Sequence, residues 1–225
     1  MKQTFPINLV DGHLLISDNG NTILVDTGSP MTVHNAQSLN FLGREFKTHT
    51  SILGSKVSDL SKLAGIGFNT LLGMDILSQY RVLFDYENRQ LTFLSPDEQG
   101  IEGTEIPLIT LMGAVGVKVG IAGQEYVMAV DTGAPLSYVS KSVTSGMQPV
   151  GEKEDFHPIA GRYTTPVYEI ESEVAGRTFT ASYGNLPALL ALTLQVGNMD
   201  GVIGYDFFKS FRVMLDSRSG IAIIG

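Results

Sequence analysis

Ile23-Leu24-Val25-Asp26-Thr27-Gly28-Ser29-Pro30 returns 105 residues later as Met128-Ala129-Val130-Asp131-Thr132-Gly133-Ala134-Pro135. Each copy is an apolar run followed by Asp-Thr-Gly, a small residue and Pro. A single Asp-Thr-Gly is a turn signal, expected by composition about once in several thousand positions. Two copies, each with Val before the Asp and Pro two residues after the Gly, mark a repeated structural unit.

The repeat extends outward from these loops. Phe5-Pro6-Ile7 has a counterpart in Ile106-Pro107-Leu108, 101 residues on. Leu71-Leu72-Gly73-Met74-Asp75-Ile76-Leu77 matches Val202-Ile203-Gly204-Tyr205-Asp206-Phe207-Phe208, and Tyr80-Arg81-Val82-Leu83-Phe84-Asp85 matches Phe211-Arg212-Val213-Met214-Leu215-Asp216, both 131 residues on. A period near a hundred residues is a lobe rather than a solenoid repeat. The polar stretch Ser95 to Gly103 is the expected link, so the expected lobes are 1–98 and 105–225. The offset widens by 26 between the Asp-Thr-Gly and Gly-centred motifs, so the second half carries an extra segment within roughly 145–195.

The local patterns predict an all-β fold, mainly strand with one short helix per half. Strand-like runs cover 3–10, 13–17 and 21–26, with turns at Asp11-Gly12 and Asn19-Gly20, the latter a strong hairpin signal. The second half repeats them at 105–112, 114–121 and 125–131. Asp75 to Tyr80 and Asp206 to Phe211 each predict one or two helical turns with an Asp cap. Val82-Leu83-Phe84 and Leu91-Thr92-Phe93-Leu94 flank a turn, and Ile221 to Ile224 closes the chain the same way.

Composition narrows the function. Of 225 residues, 43% are hydrophobic and 17% charged, an ordinary globular balance. No run of 18 apolar residues occurs, so no membrane span is expected. Without cysteine there is no disulfide framework, thiol nucleophile or thiolate-ligated zinc. The net charge of −8, without basic clusters, argues against nucleic acid and anionic membrane as partners. The N-terminus, Met1 to Pro6, is unlike a signal peptide, which favours a cytoplasmic location, although a processed chain would read the same.

The repeated Asp gives the chemistry. Two carboxylates too close for both to ionise share one proton. Such a pair can activate water as a base and a carbonyl as an acid, which is what hydrolysis needs in the absence of a metal or covalent nucleophile. Asp26 and Asp131 are therefore the candidate catalytic pair. Thr27 and Thr132 can bond across to the opposite loop. Gly28 and Gly133 permit a tight turn and offer a bare N–H to the carboxylate. Ser29 can add a hydroxyl bond to Asp26, whereas Ala134 cannot do the same for Asp131. That difference favours the anion on Asp26 and the proton on Asp131.

Taken together, the Asp-Thr-Gly-Ser/Ala loops and the later Leu71-Leu72-Gly73 and Val202-Ile203-Gly204 motifs resemble the aspartic proteases of the pepsin and retropepsin superfamily, over nearly the whole chain. The resemblance implies two acid-protease lobes related by a pseudo-twofold axis, with the active site between them. Each Gly-centred motif would cross behind its catalytic loop. Two departures stand out. The chain is much shorter than a pepsin, each half being near retroviral-subunit size, and Met74 and Tyr205 stand where retroviral enzymes usually have Arg. The form implied is a single chain that needs no dimerisation, no cofactor and no metal, acting on an extended peptide or unfolded protein.

The family covers its cleft with a hairpin flap. Here the extra segment, Phe156 to Tyr168, has apolar and aromatic residues around a Gly-centred turn, with Gly161, Arg162 and Tyr163 as candidate substrate contacts. The first half offers only Thr50 to Val57. One dominant flap from the second half is expected, a reversal of the pepsin arrangement; an ordinary surface hairpin is the competing reading.

The remaining polar residues suggest less. His13, His34, His49 and His157 lack metal-ligand spacing. Asp75, Asp85, Asp206 and Asp216 recur at turns and caps, which points to structural roles. Two other functions compete with peptide hydrolysis: a non-catalytic peptide-binding or regulatory module that retains the cleft, and a structural domain of a larger assembly.

Overall fold

Glycine placement sets the turns. Asn19-Gly20 and Ala175-Gly176 have positive φ at both central residues (47° and 78°, 55° and 74°), which suits the twist of the strands they join. In the computed structural model, which describes residues 1–111, 113–157 and 161–225, such turns join neighbouring strands within three main sheets. The fold is mainly β, as expected.

One sheet belongs to the first half. Its order is Asn8–Val10, His13–Asp18, Asn21–Val25, Thr70–Leu72 and Val33–His34. The second half builds an eight-stranded sheet that begins with the same sequence of roles: Ile109–Leu111, Ala114–Ile121, Gln124–Val130, Gly201–Ile203 and Ser137–Val139. It then adds Arg177–Asn185, Gly161–Val174 and Gly151–His157. Those last strands occupy the stretch where the sequence places the extra segment.

In both halves the strand entering the Asp loop lies parallel to the strand ending at the Gly motif. Leu72 pairs with Val25, and Ile203 with Val130. These strands are sealed: Ile23, Val25, Leu72, Met128, Val130 and Ile203 are all fully buried. Apolar side chains that lose water on folding thus carry each Asp into the interior.

The third sheet joins the halves. Its order is Lys2–Pro6, Gln90–Leu94, Arg81–Asp85, Val213–Asp216, Ile221–Ile224 and Thr104–Pro107. Across the central pair Leu83 faces its repeat counterpart Met214, and Arg81 faces Asp216. The symmetry extends to charge. Arg81 Nε lies 3.3 Å from Asp216, and Arg212 Nε lies 3.1 Å from Asp85. The first is an ion pair without hydrogen-bond alignment at Nε. Asp85 and Asp216 also accept the Asn88 and Ser219 N–H groups, each at 3.0 Å, which are turn roles of the kind expected. Phe84 meets Phe208 at 5.1 Å across the same seam.

Among the described residues each half has the expected short helix and one more. Helices α1 (Val57–Ala64) and α3 (Ala188–Val196) are unforeseen, whereas α2 (Met74–Leu77) and α4 (Tyr205–Ser210) fall where expected. Local signals account for α1. The Asp59 carboxylate accepts the Lys56 N–H at 3.0 Å, Gly65 closes the helix at φ 69°, and Val57 and Leu60 are buried. Helix α3 starts after Pro187 and ends at Gly197. Asp75 accepts the Ile76 N–H within α2, but Asp206 accepts Ser182 N–H instead, tying α4 to the sheet rather than capping it.

Candidate active site

The two Asp-Thr-Gly loops meet. Thr27 N–H donates to Thr132 Oγ1 at 3.0 Å, and Thr132 N–H donates to Thr27 Oγ1 at 3.0 Å. Each hydroxyl then donates onward to the opposite chain segment: Thr27 to the Val130 carbonyl at 2.7 Å, Thr132 to the Val25 carbonyl at 2.8 Å. Both threonines are 1% exposed, so all four bonds lie away from water, where an unmet partner is costly. The lattice fixes the spacing of the adjacent carboxylates.

The loops are also anchored from behind. Asp26 N–H donates to the Leu72 carbonyl and Asp131 N–H to the Ile203 carbonyl, both at 3.0 Å. Gly73 N–H donates to Thr32 Oγ1 and Gly204 N–H to Ser137 Oγ, both at 3.1 Å. Glycine recurs there because a Cβ on Gly73 would lie 2.5 Å from the Met31 carbonyl oxygen and one on Gly204 would overlap the Ala134 carbonyl.

Asp26 and Asp131 are in hydrogen-bond contact through their side chains. Asp26 Oδ1 accepts the N–H groups of Gly28 at 2.9 Å and Ser29 at 3.0 Å, and Asp131 Oδ1 accepts that of Gly133 at 2.8 Å. The glycines are required by close approach. A Cβ on Gly28 would overlap the Asp131 carboxylate, and one on Gly133 would lie 2.9 Å from the Asp26 carboxyl. Burial, then the charge of Asp131, holds the Asp26 carboxyl well above the usual carboxylate range. Burial raises Asp131 too, opposed by the Gly133 N–H, its bond to Asp26 and the fields of His13 and His157. Protons therefore leave the two carboxyls as a pair, at higher pH than for a free Asp.

The expected Ser29 contact is absent. Its hydroxyl donates to the Met31 carbonyl at 2.9 Å, and its backbone N–H takes over the bond to Asp26. A small hydroxyl next to a turn reaches a backbone carbonyl as readily as a carboxylate. The Ser29 hydroxyl therefore gives no reason to put the proton on Asp131, and the two histidines favour the anion there. Ala134 plays its part through the backbone, its carbonyl accepting the Tyr205 N–H at 3.0 Å.

The long hairpin of the second half forms an arm. Strands 151–157 and 161–167 pair from Gly151 opposite Val167 to His157 opposite Gly161. Pro158, Ile159 and Ala160, within the expected flap, lie outside the described residues. Gly161 has φ 72° at the start of the return strand. Arg162 reaches the other half, its Nη2 donating to the Leu63 carbonyl in the last turn of α1 at 3.1 Å. Tyr163 packs edge-on against Tyr138 at 6.3 Å, and the Tyr138 hydroxyl donates to Asp155 on the arm. Burial raises the Tyr163 phenol to about 12. In the first half the stretch between the two motifs holds two short hairpins instead, Ser38–Phe41 with Arg44–Lys47 and Ser51–Ile52 with Ser55–Lys56.

His13 and His157 belong to this site, although sequence spacing gave no reason to include them. Both interact electrostatically with Asp131 and Asp155. Aligning the halves offers one signal: His13 follows Gly12 where Ala114 follows Gly113. Among the described residues no group of three His, Asp or Glu is placed to hold a metal ion, and no helix is long and apolar enough to cross a membrane.

No protein-family model matches the chain, and no curated protein matches it in sequence. Among the solved structures that the chain is similar to are two proteases. The protease of simian foamy virus (mac) covers 36% of this chain and 94% of its own, at 20% identity and a TM-score of 0.27. A retropepsin-like aspartic protease from Rickettsia conorii covers 55% of this chain and 91% of its own, at 13% identity and a TM-score of 0.40.

Proposed function

We propose that the protein is an aspartic endopeptidase in which Asp26 and Asp131 share one proton. The observation carrying this reading is the mutual contact of two half-buried carboxyls, held by reciprocal bonds between fully buried threonines that serve no purpose in a simple turn. In the mechanism, the ionised carboxylate takes a proton from water as the oxygen adds to the peptide carbonyl carbon. The protonated carboxyl gives its proton to the carbonyl oxygen, forming a gem-diol. A proton then passes to the amide nitrogen, the C–N bond breaks, and a carboxylic acid and an amine leave.

On this reading, residues 1–98 and 105–225 are two lobes with the substrate between them. An extended peptide binds partly as an added strand. The arm residues Gly161, Arg162 and Tyr163 border its path, and one chain assembles the site.

Asp26→Asn and Asp131→Asn should each abolish cleavage of an unfolded protein assayed across pH 3–7, while circular dichroism remains unchanged. Cleavage persisting in both would overturn the mechanism. Binding of a statine peptide without turnover by the unsubstituted protein would instead favour the non-catalytic module.

A further inference from the structure

The loop carrying His13 crosses to the opposite half. Asp11 and Gly12 turn at φ 49° and 87°, and a Cβ on Gly12 would lie 2.9 Å from Pro135, four residues past Asp131. The repeat makes the mirror contact: Gly113, also at φ 87°, would place its Cβ 3.2 Å from Pro30. The next residue differs between the halves, being His13 in the first and Ala114 in the second. His13 is 6% exposed, and its buried Nδ1 makes no well-aligned hydrogen bond, with the Val10 and Asp11 carbonyls close by. A polar ring nitrogen is costly to bury in this way. The histidine occurs on the side where the single arm folds over the site, and its charge interactions are with Asp155 of the arm and Asp131 of the dyad.

We infer that His13 is a positioning residue of the dyad: protonated in acid, it ties the arm through Asp155 and holds Asp131 ionised. The dyad half of this inference rests on the peptidase reading; the tie to Asp155 does not. Around His13 are Asp155, Asp131 and the Val10 and Asp11 carbonyls, all favouring its charge, against burial, which opposes it. His157 faces the same two carboxylates from the arm. The phenols of Tyr163 and Tyr86, which also sense Asp131, are raised by burial and stay neutral in acid. Burial lowers the His13 pKa, so the ring is neutral near neutrality and gains its proton only as pH falls. The cation then opposes the second protonation of the dyad, which would otherwise end catalysis in acid.

The test compares His13→Gln and His13→Ala; Ala114 at the repeat position shows that this turn accommodates a small residue. Amide hydrogen exchange across 151–157 and 161–167, measured at pH 7 and pH 4, requires no turnover. Arm protection should rise on acidification in the unsubstituted protein, after correction for intrinsic exchange, and not in either variant. The acid limb of kcat/KM, and of statine-peptide affinity, should move up by about half to one pH unit in both variants. Unchanged acid limbs would overturn the dyad half, and an unchanged arm response would overturn the tie to Asp155. If the unsubstituted protein neither cleaves peptides nor binds the statine peptide, the peptidase reading fails and the dyad half with it; the exchange result still decides the tie.

Discussion

At the scale of single residues, the site depends on groups with nothing to spare. Gly28 sits under the Asp131 carboxylate, so Gly28→Ala must displace one of the two groups. We expect loss of about 1–3 kcal/mol of stability by thermal unfolding and a fall of about 100-fold in kcat/KM from misplacement. The carboxyls themselves oppose folding at neutral pH. Their folded pKa values are raised, so the native state keeps protons that the unfolded chain has released. Stability therefore falls as pH rises from the unfolded value, about 4, through the higher folded values. Asp131→Asn should accordingly melt higher than the unsubstituted protein at pH 7, with the difference shrinking towards pH 3. The Asp-Thr-Gly loops were legible because the motif is short and occurs twice, although the threonine bonds themselves run between the copies. Ser29 misled because its hydroxyl had two acceptors in reach. His13 stayed hidden because its partners lie far along the chain and only folding brings them near.

Among the secondary-structure elements, strands and turns were readable because alternation and X-Gly pairs carry their own geometry. Helix α1 was signalled by Asp59 and Gly65 but is only eight residues long. Helix α3 gave no period because its sequence is apolar on nearly every side, and Leu189, Leu192 and Val196 are exposed. The arm is the element with the clearest consequence. Its reach to α1 rests on the hydrogen bond from Arg162 to the Leu63 carbonyl, at the helix end that attracts cations. Arg162→Ala should raise amide exchange across 151–157 and 161–167 and raise KM more than it lowers kcat. Equal exchange in the two proteins would show that the arm is held elsewhere.

For the whole molecule, the decisive feature is the sheet built from both halves. Strand Arg81–Asp85 has Gln90–Leu94 on one side and Val213–Asp216 on the other, so separating the halves bares Phe84 and Val82 along with an open edge. Fragments 1–98 and 105–225 should each remain poorly folded alone and regain a cooperative unfolding transition when mixed. The sequence showed two repeats but not this seam. The RVLFD and RVMLD segments were legible as matching hairpin strands, yet nothing local says that each Arg pairs with the other copy's Asp. Because the repeat lies within one polypeptide, the two copies were free to diverge around a shared frame. A groove with true twofold symmetry cannot tell which way a peptide chain runs through it. On the peptidase reading, with the long arm and both His13 and His157 on the side of Asp131, the two orientations of a bound chain meet different neighbours, and the site acquires a reading direction.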